Sequence, residues 1–317
     1  MWLYLVAVVS MYQLVRWYRE RQVVDQLQDK YVFITGCDSG FGNLLARQLD
    51  AKGLRVLAAC QTEKGAKELK AETSERLNTV ILDVTKSESI AAATQWVKEH
   101  TGDRGLWGLV NNAGISGMMA PIEWLTRQNF MEVLDVNLLG MIDVTLNLLP
   151  LLRKAQGRVV NVSSVIGRVP LVAGGYCISK FGVEAFSDSL RRELSFFGMK
   201  VAIIEPGYFK TSMGNTEKFC QDFQNAWNQA SPEARNTYGE KFLTSSMKAL
   251  QMVEPKLSSN LSLVTGCMEH ALTSCHPRTR YSAGWDAKLI FLPLSYMPTF
   301  LVDAIIRWNM LRPAKAL

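Results

Sequence analysis

The stretch "YVFITGCDSGFGNLLARQL" (31–49) decides the fold class of this chain. It begins with a short apolar run, typical of a strand that is buried on both faces of a sheet. It ends with Phe41, Leu45 and Leu49 at helical spacing. The glycine-rich turn between them permits tight backbone geometry and brings helix N-terminal amides toward a phosphate group. The stretch therefore predicts the first strand, turn and helix of a dinucleotide-binding domain.

The rest of the chain repeats this alternation of short apolar runs and amphipathic stretches. Five further runs predict strands at 55–60, 79–84, 106–112, 158–164 and 200–207. Helical stretches lie between them, for example at 86–99 and 123–153. Near-continuous apolar strands joined by helices are typical of a parallel sheet covered on both faces. We therefore expect an α/β fold, a doubly wound and mostly parallel Rossmann-like sheet.

The predicted cofactor contacts follow the ends of successive strands. In the first turn they are Gly36, Ser39, Gly40, Phe41 and Gly42. Asp83 follows the third strand, where it would touch the adenine end. The segment "NNAG" (111–114) follows the fourth strand and would line the groove with Asn111, Ala113 and Gly114.

The end of the second strand leaves the choice between NAD and NADP open. An acidic side chain at this point would hold the ribose 2′-hydroxyl of NAD. The sequence here is "AACQTEKG" (58–65), without an aspartate. Lys64 would attract a 2′-phosphate, whereas Glu63 would repel it.

The segment "YCISK" (176–180) places a phenol and an ammonium four residues apart, on one face of a helix. A free phenol, with a pKa of about 10, is a poor base at neutral pH. A neighbouring ammonium favours the phenolate, so Lys180 would help Tyr176 to accept a proton. Taken alone, the two residues would also fit a surface pair of little energetic worth.

Several motifs in register resemble the short-chain dehydrogenase/reductase family. They are "TGCDSGFG", "NNAG", "VLDVNLLG", "NVSS" before "YCISK", and "PGYFKT", in order from about residue 30 to 212. The apolar N-terminus and "CMEHALTSCHPRTRYSAGWDAK" (267–288) resemble the microsomal retinol and 3α-/17β-hydroxysteroid dehydrogenase branch.

The resemblance implies a catalytic role for four residues. Tyr176 would take the proton of a substrate hydroxyl as hydride leaves for nicotinamide, and Lys180 would support the phenolate. Ser164 would donate to the substrate oxygen. It lies one residue closer to Tyr176 than the family spacing, so Ser163 is the alternative. Asn137 would position a water toward the lysine.

Further along the chain, the resemblance implies cofactor contacts from Pro206, Gly207 and Thr211, the last of which would hold the carboxamide. NAD is favoured, because the branch is mostly NAD-linked and no arginine follows the second strand. NADP remains open. The implied function is oxidation of a lipophilic alcohol, all-trans-retinol or a 3α- or 17β-hydroxysteroid. The alternatives are an NADPH-dependent reductase of retinal or ketosteroids, and a non-catalytic membrane-bound sensor of dinucleotide or lipid.

The N-terminus predicts membrane attachment. Residues 1–15 are apolar except for Ser10 and Gln13, and arginines follow this segment. A short span and a helix lying in the interface both fit. The resemblance to a microsomal branch implies the membrane of the endoplasmic reticulum, and the positive-inside rule would leave the main domain on its cytoplasmic face. We predict an anchor at 1–18, a dehydrogenase domain at 29–285 with a substrate cap at about 210–260, and a hydrophobic extension at 286–317.

Composition argues against other classes. The net charge is +6, but no arginine-rich run with interleaved aromatics lies beyond residue 30, so no nucleic-acid partner is expected. Neither the six cysteines nor the three histidines show metal or disulfide spacing. A homodimer through the helices at 123–153 and 176–197 is compatible with such a fold.

Overall fold

The computed structural model describes residues 1–171, 174–211, 214–252, 255 and 257–316. Parts of the predicted cap (212–213, 253–254 and 256) and the last residue of the predicted extension lie outside the described residues. The strands are β1 Tyr31–Thr35, β2 Arg55–Cys60, β3 Leu77–Ile81, β4 Gly108–Asn111, β5 Arg158–Val162, β6 Lys200–Pro206 and β7 Arg280–Ala283.

The helices cover both faces of the sheet and extend beyond it. They are α1 Trp2–Glu20, α2 Gly40–Ala51, α3 Glu63–Ala71, α4 Ser87–Thr101, α5 Arg127–Leu134, α6 Met141–Lys154, α7 Gly175–Leu194, α8 Thr216–Gln229, α9 Pro232–Tyr238, α10 Glu240–Gln251, α11 Ser262–Thr273, α12 Leu292–Leu294 and α13 Thr299–Asn309.

All strand pairs are parallel, in the order β3-β2-β1-β4-β5-β6-β7. The order reverses between β1 and β4, which is where doubly wound sheets bind ligands beyond the carboxyl ends of their strands. Successive residues of β1 enter opposite cores, with Val32 packed on one side of the sheet and Phe33 on the other. The predicted fold class is confirmed.

Two strands differ most from the sequence-based expectations. The third strand occupies 77–81 instead of 79–84, and β7 was not predicted. This last strand has only four residues, "RYSA", half of them polar, so it lacks the apolar run that marks the others.

The predicted helix at 123–153 is interrupted. α5 and α6 are joined by a six-residue π-helical segment, Asp135–Gly140. Together they form the stretch Arg127–Lys154, which is the part of the described chain that has the length and apolarity of a membrane-crossing helix. Its side chains Val144, Leu148 and Leu152 are buried in the core beside the sheet, so packing within the domain accounts for its apolar character.

The N-terminal helix α1 stands apart from this core. Apart from Leu3, whose side chain is not described, the residues of this helix are almost entirely exposed, including Trp2, Val8 and Leu14. Its C-terminal end is fixed to the domain, where Glu20 pairs with Arg278. The helix carries Arg16 and Arg19 in its last turns, which shortens its apolar part.

Candidate active site

A cavity of about 1500 Å³ opens at the carboxyl edge of the sheet. Thirteen of the predicted site residues line it: Gly36, Ser39, Gly40, Phe41, Asp83, Ala113, Gly114, Ser164, Tyr176, Lys180, Pro206, Gly207 and Thr211. Three more, Gly42, Asn111 and Asn137, lie behind its wall.

The glycine-rich turn forms one end of this cavity. Gly36 and Gly40 both have positive φ, +71° and +62°, which glycine adopts without steric cost. A Cβ on Gly42 would lie 2.3 Å from the carbonyl oxygen of Gly36, so the turn closes only without a side chain there. A Cβ on Gly40 would instead project beside Thr211, at 3.8 Å. The first turn of α2, whose backbone amides point toward the start of the helix, therefore borders the cavity.

The two asparagines of "NNAG" have different surroundings. Asn111 is the last residue of β4, and its side chain points into the core, donating to Thr145 at 2.9 Å and to Asn161 at 2.8 Å. Asn112 follows the strand and lines the cavity. Its amide donates to the carbonyls of Thr35 and Gly36, at 2.9 and 3.0 Å, and so holds the glycine turn. The predicted groove contact thus falls at Asn112, because the strand's alternation turns Asn111 inward.

A carboxylate that the sequence analysis did not identify reaches the end of β2. Asp38, from the glycine turn, accepts hydrogen bonds from the backbone amides of Gln61 and Thr62, at 2.7 and 3.0 Å. All three residues line the cavity. The segment 58–65, where an acidic side chain is expected, contains no aspartate. The aspartate inside "TGCDSGFG" was the available signal.

Ser164 and Tyr176 approach each other from β5 and α7. Ser164 caps the short helical turn Val165–Gly167, accepting from the Ile166 amide at 3.3 Å. Burial raises the pKa of Tyr176 to about 12, and a hydrogen bond from the Ser164 hydroxyl opposes that rise. The Ser163 hydroxyl points elsewhere and donates to the Lys180 carbonyl at 3.4 Å. The Ser164 hydroxyl also donates to the Pro206 carbonyl at 3.5 Å. Its effect on the pKa of Tyr176 favours Ser164 over Ser163 as the partner of the phenol.

Lys180 lies one helical turn after Tyr176, with its ammonium 5.6 Å from the ring centre. The ammonium donates to the carbonyl of Val162 at 2.8 Å. Burial lowers the pKa of Lys180 to about 8, against the opposing charge of Glu184. Burial is the largest influence on the phenol and outweighs Ser164, so the pKa of Tyr176 lies above that of a free phenol and the expected depression is not present.

Asn137 occupies the π-helical segment and is buried. Its side-chain oxygen accepts from the amide of Ile115 at 2.8 Å. Its side-chain amide donates to the Ile115 carbonyl at 2.8 Å and to Ser179 at 3.1 Å. Asn137 therefore ties the loop after β4 to the helix that carries Tyr176 and Lys180. π-helical turns of this kind often occur at functional sites.

The far side of the cavity is an apolar chamber. It is walled mainly by the cap helices and by the C-terminal tail: Phe219, Phe223, Tyr238, Phe242, Leu250, Leu257, Met310, Leu311 and Pro313. Trp124 anchors the cap, with edge contacts to four aromatic rings at 5.1 to 6.0 Å between ring centres. The tail is fixed by backbone bonds from Ala314 to Tyr238 and from Lys315 to Thr237, at 2.9 and 3.1 Å.

Among the residues the structure describes, no group of three or more histidine, cysteine, aspartate or glutamate side chains could hold a metal ion.

The chain is similar to known proteins along most or all of its length. Human retinol dehydrogenase 16 is 69% identical over 317 residues, and human 17-beta-hydroxysteroid dehydrogenase type 6 is 62% identical over 316, each comparison covering 100% of both chains. A short-chain dehydrogenase from Streptomyces avermitilis superimposes with a TM-score of 0.68 at 25% identity, covering 88% of this chain and 94% of that one.

Two solved short-chain dehydrogenases with bound dinucleotide share the fold. The enzyme from Burkholderia phymatum, in complex with NAD, has a TM-score of 0.70 at 19% identity, covering 92% of this chain and 99% of that one. The enzyme from Burkholderia cenocepacia, in complex with NADP, has a TM-score of 0.65 at 20% identity, covering 89% and 98%. Residues 30–219 match the short chain dehydrogenase family, and the chain belongs to that family of nicotinamide-dependent oxidoreductases.

Proposed function

We propose that this protein oxidises the hydroxyl group of a lipophilic alcohol, with NAD as the electron acceptor. The observation that carries the proposal is the position of Tyr176, Ser164 and Lys180. These side chains line one continuous cavity that has a glycine-lined dinucleotide groove at one end and an apolar chamber at the other. An alcohol in the chamber would therefore present its hydroxyl to the phenol and its carbon to the groove.

The groove fits a dinucleotide. Glycine-lined space beside Gly40 and the N-terminus of α2 suit a pyrophosphate. Asp83, whose carboxylate is held by Thr85 at 2.7 Å, would border the adenine, and Thr211 the carboxamide. When bound, the oxidised nicotinamide supplies the acceptor for the electrons that leave the alcohol carbon.

Asp38 supports NAD over NADP. Its carboxylate lies beside Gln61 and Thr62, at the end of the second strand, where doubly wound folds bind the adenosine ribose. A carboxylate accepts a hydrogen bond from a ribose hydroxyl and repels a 2′-phosphate. Lys64 is 85% exposed and is 3.8 Å from Glu68, so it does not offset this charge within the groove.

The proton transfer falls to the chain's own residues. Tyr176, as the phenolate, would take the hydroxyl proton of the alcohol. Ser164 would donate to the substrate oxygen and stabilise the charge that develops on it. Lys180 would stabilise the phenolate electrostatically, and Asn137 would hold the loop at Ile115 against the catalytic helix.

The chamber favours a long apolar substrate. Phe223, Phe242 and Leu311 are among its apolar walls, and the chamber shares the 1500 Å³ cavity with the groove. The relatives at 69% and 62% identity are named for retinol and for 17β-hydroxysteroids. All-trans-retinol and 3α- or 17β-hydroxysteroids are therefore the proposed substrates.

Membrane attachment would supply such substrates. The exposed apolar helix α1 would be the anchor at 1–18, followed by the dehydrogenase domain at 29–285. In the extension at 286–317, α13 is apolar yet has no buried residue, and Phe300 and Trp308 are 71% and 90% exposed. Exposed apolar surface of this kind marks contact sites for lipid or protein. We assign it to the membrane of the endoplasmic reticulum.

A glycosylation triplet in the chain can report on which side of the membrane the domain lies. The triplet "NLS" begins at the exposed residue Asn260, and such a triplet is glycosylated when it lies in the lumen. With the domain on the cytoplasmic face, microsomal protein should show no mass shift after glycosidase treatment. A mass shift that Asn260→Gln abolishes would place the domain in the lumen.

The function is tested by nicotinamide reduction in membranes that carry the full chain. All-trans-retinol and a 3α-hydroxysteroid are each assayed with NAD and with NADP. Oxidation of at least one alcohol, faster with NAD, is the expected result. Absence of oxidation with every pair, together with NADPH-dependent reduction of the matching aldehyde or ketone, would overturn the proposal in favour of a reductase.

A further inference from the structure

The catalytic helix α7 carries a stripe of four polar side chains that are spaced by four residues. Tyr176 and Lys180 are followed by Glu184 and Asp188. Residues at this spacing lie on one face of a helix. Lys180 and Glu184 are 5% and 7% exposed, so an ammonium and a carboxylate are buried one turn apart. The proton-transfer scheme above gives Glu184 no role.

Glu184 is the first member of an ion-pair network beneath the site. Arg280, from β7, pairs with Glu184 through its Nη1 atom. The same guanidinium contacts Glu205 of β6 at 3.0 Å and Asp188 at 2.9 Å. Glu205 is 1% exposed and also contacts Arg168 at 3.0 Å. The network thus connects α7 to both last strands of the sheet.

The second carboxylate oxygen of Glu184, Oε1, is buried and has no hydrogen-bond partner among the described residues. The Ser163 hydroxyl is nevertheless close enough to lower the pKa of this carboxyl, and Arg280 lowers it too, against the larger raising effect of burial. A buried carboxylate that is incompletely satisfied costs folding free energy. Such a cost is consistent with a functional role for the charge.

The negative charge of Glu184 can act on Lys180. A buried ammonium loses hydration and tends to release its proton unless an opposite charge lies near it. Groups facing Lys180 include Tyr176 on its own helix and the Val162 carbonyl, both without formal charge in the resting protein. Glu184 is the charged neighbour that favours the ammonium form. Arg280, Glu205 and Arg168 lie beyond Glu184 in the network, and Asp188 also pairs with the surface residue Arg191.

We propose that Glu184, fixed by Arg280 and buried one helical turn after Lys180, is a positioning residue whose charge keeps the Lys180 ammonium protonated. This proposal rests on the proposed function, since it assigns the charge of Lys180 to the support of the phenolate.

The test compares Glu184→Gln with Asp188→Asn in the pH dependence of kcat/KM. Each variant removes one carboxylate that binds Arg280. Of the two carboxylates, only that of Glu184 lies one helical turn from Lys180. Without Glu184 the pKa of Lys180 falls, so the ammonium is lost at lower pH. The alkaline limb of the Glu184→Gln profile should therefore move to lower pH by about one unit, which is about a tenfold loss on that limb. Asp188→Asn should keep the wild-type limb.

A Glu184→Gln profile that superimposes on the wild-type profile after scaling would overturn the proposal, as would an equal shift in Asp188→Asn. If Glu184→Gln does not fold, Glu184→Asp is decisive. It keeps the carboxylate but withdraws it by one methylene, and it should move the limb in the same direction by less. A folded Glu184→Asp protein with an unmoved limb would contradict the role.

A second readout needs no turnover and separates this inference from the proposed function. Only the neutral amine of a lysine reacts with acetic anhydride, so the acetylation rate of Lys180 against pH, followed by mass spectrometry, reports its protonation. Faster acetylation at neutral pH in Glu184→Gln than in Asp188→Asn supports the proposal even if no alcohol is oxidised. Equal rates would refute it, even in an active enzyme.

Discussion

Asp38 accepts two hydrogen bonds from Thr62, one from its backbone amide at 3.0 Å and one from its hydroxyl at 2.7 Å. The turn after β1 thereby delivers a carboxylate to the end of β2. Strand β2 itself ends in Cys60 and offers no acidic side chain. We assign the proposed preference for NAD to this carboxylate, which lies 24 positions before Thr62 in the chain.

Replacing this carboxylate should weaken the preference for NAD. We expect Asp38→Asn to lower the NAD-to-NADP ratio of kcat/KM by about tenfold, since repulsion of unit charges about 4 Å apart is worth about 1 to 4 kcal/mol near a protein surface. Steady-state kinetics with both cofactors measure the ratio. Asp83→Asn is the matched control, because it should weaken the binding of NAD and of NADP by a similar factor. An unchanged ratio in Asp38→Asn would remove Asp38 from cofactor selection.

Replacing each of the two serines after β5 by alanine should lower kcat to different extents. Ser164→Ala removes the hydroxyl that hydrogen-bonds the Tyr176 phenol, and we expect kcat to fall by about 10² to 10³, the effect of losing one donor to a developing oxyanion. Ser163→Ala removes a bond to the Lys180 carbonyl and should cost less than about tenfold. Single-turnover rates of both variants decide between them. A larger loss in Ser163→Ala would reverse the assignment.

The phenolate should form only when the cofactor is bound. Burial raises the pKa of Tyr176 to about 12, so this side chain is protonated at neutral pH in the protein alone. A bound oxidised nicotinamide brings positive charge, which favours the phenolate and lowers this pKa. Ultraviolet difference titration should show one tyrosinate at lower pH with NAD than without it, and no such change in Tyr176→Phe. An identical titration with and without NAD would contradict this account.

Gly42 should tolerate no side chain. A Cβ there would lie 2.3 Å from the Gly36 carbonyl oxygen, so Gly42→Ala should destabilise the fold by about 1 to 3 kcal/mol and weaken NAD binding. Gly266, in α11, has open space around the position of a Cβ. Gly266→Ala should therefore stabilise the helix by about 0.5 to 1 kcal/mol. Thermal unfolding of the two variants checks both signs, and equal shifts would contradict the crowding at Gly42.

Local patterns in the sequence were sufficient for much of the sheet. Strands β1 and β2 occupy the predicted residues, and β5 begins at the predicted Arg158. These strands were predictable because a parallel strand that is buried on both faces has a nearly continuous apolar sequence. The glycine turn was equally visible, since strand, turn and helix adjoin in the chain. Its predicted residues Gly36 and Gly40 do border the cavity.

Features that depend on distant contacts could not be predicted in this way. Arg280 and Glu184 lie 96 positions apart, and nothing in "RYSA" signals a strand that brings them together. The tail residue Leu311 lines the cavity because the backbone amides of Ala314 and Lys315, a few residues later, bind the carbonyls of Tyr238 and Thr237 in the cap. Asn111 and Asn112 are indistinguishable by composition, and only the end of β4 decides which of them turns into the core.

The most direct test of the central claim separates binding from turnover in Tyr176→Phe. The substitution removes one hydroxyl and keeps the ring, so the groove beside Gly40 and Thr211 remains intact. We predict that the variant binds NAD with nearly the wild-type Kd, while kcat for alcohol oxidation falls by about 10² to 10⁴, the usual contribution of a positioned acid or base. A Tyr176→Phe enzyme that oxidised its alcohol at the wild-type rate would contradict the account, because Tyr176 could not then be the base.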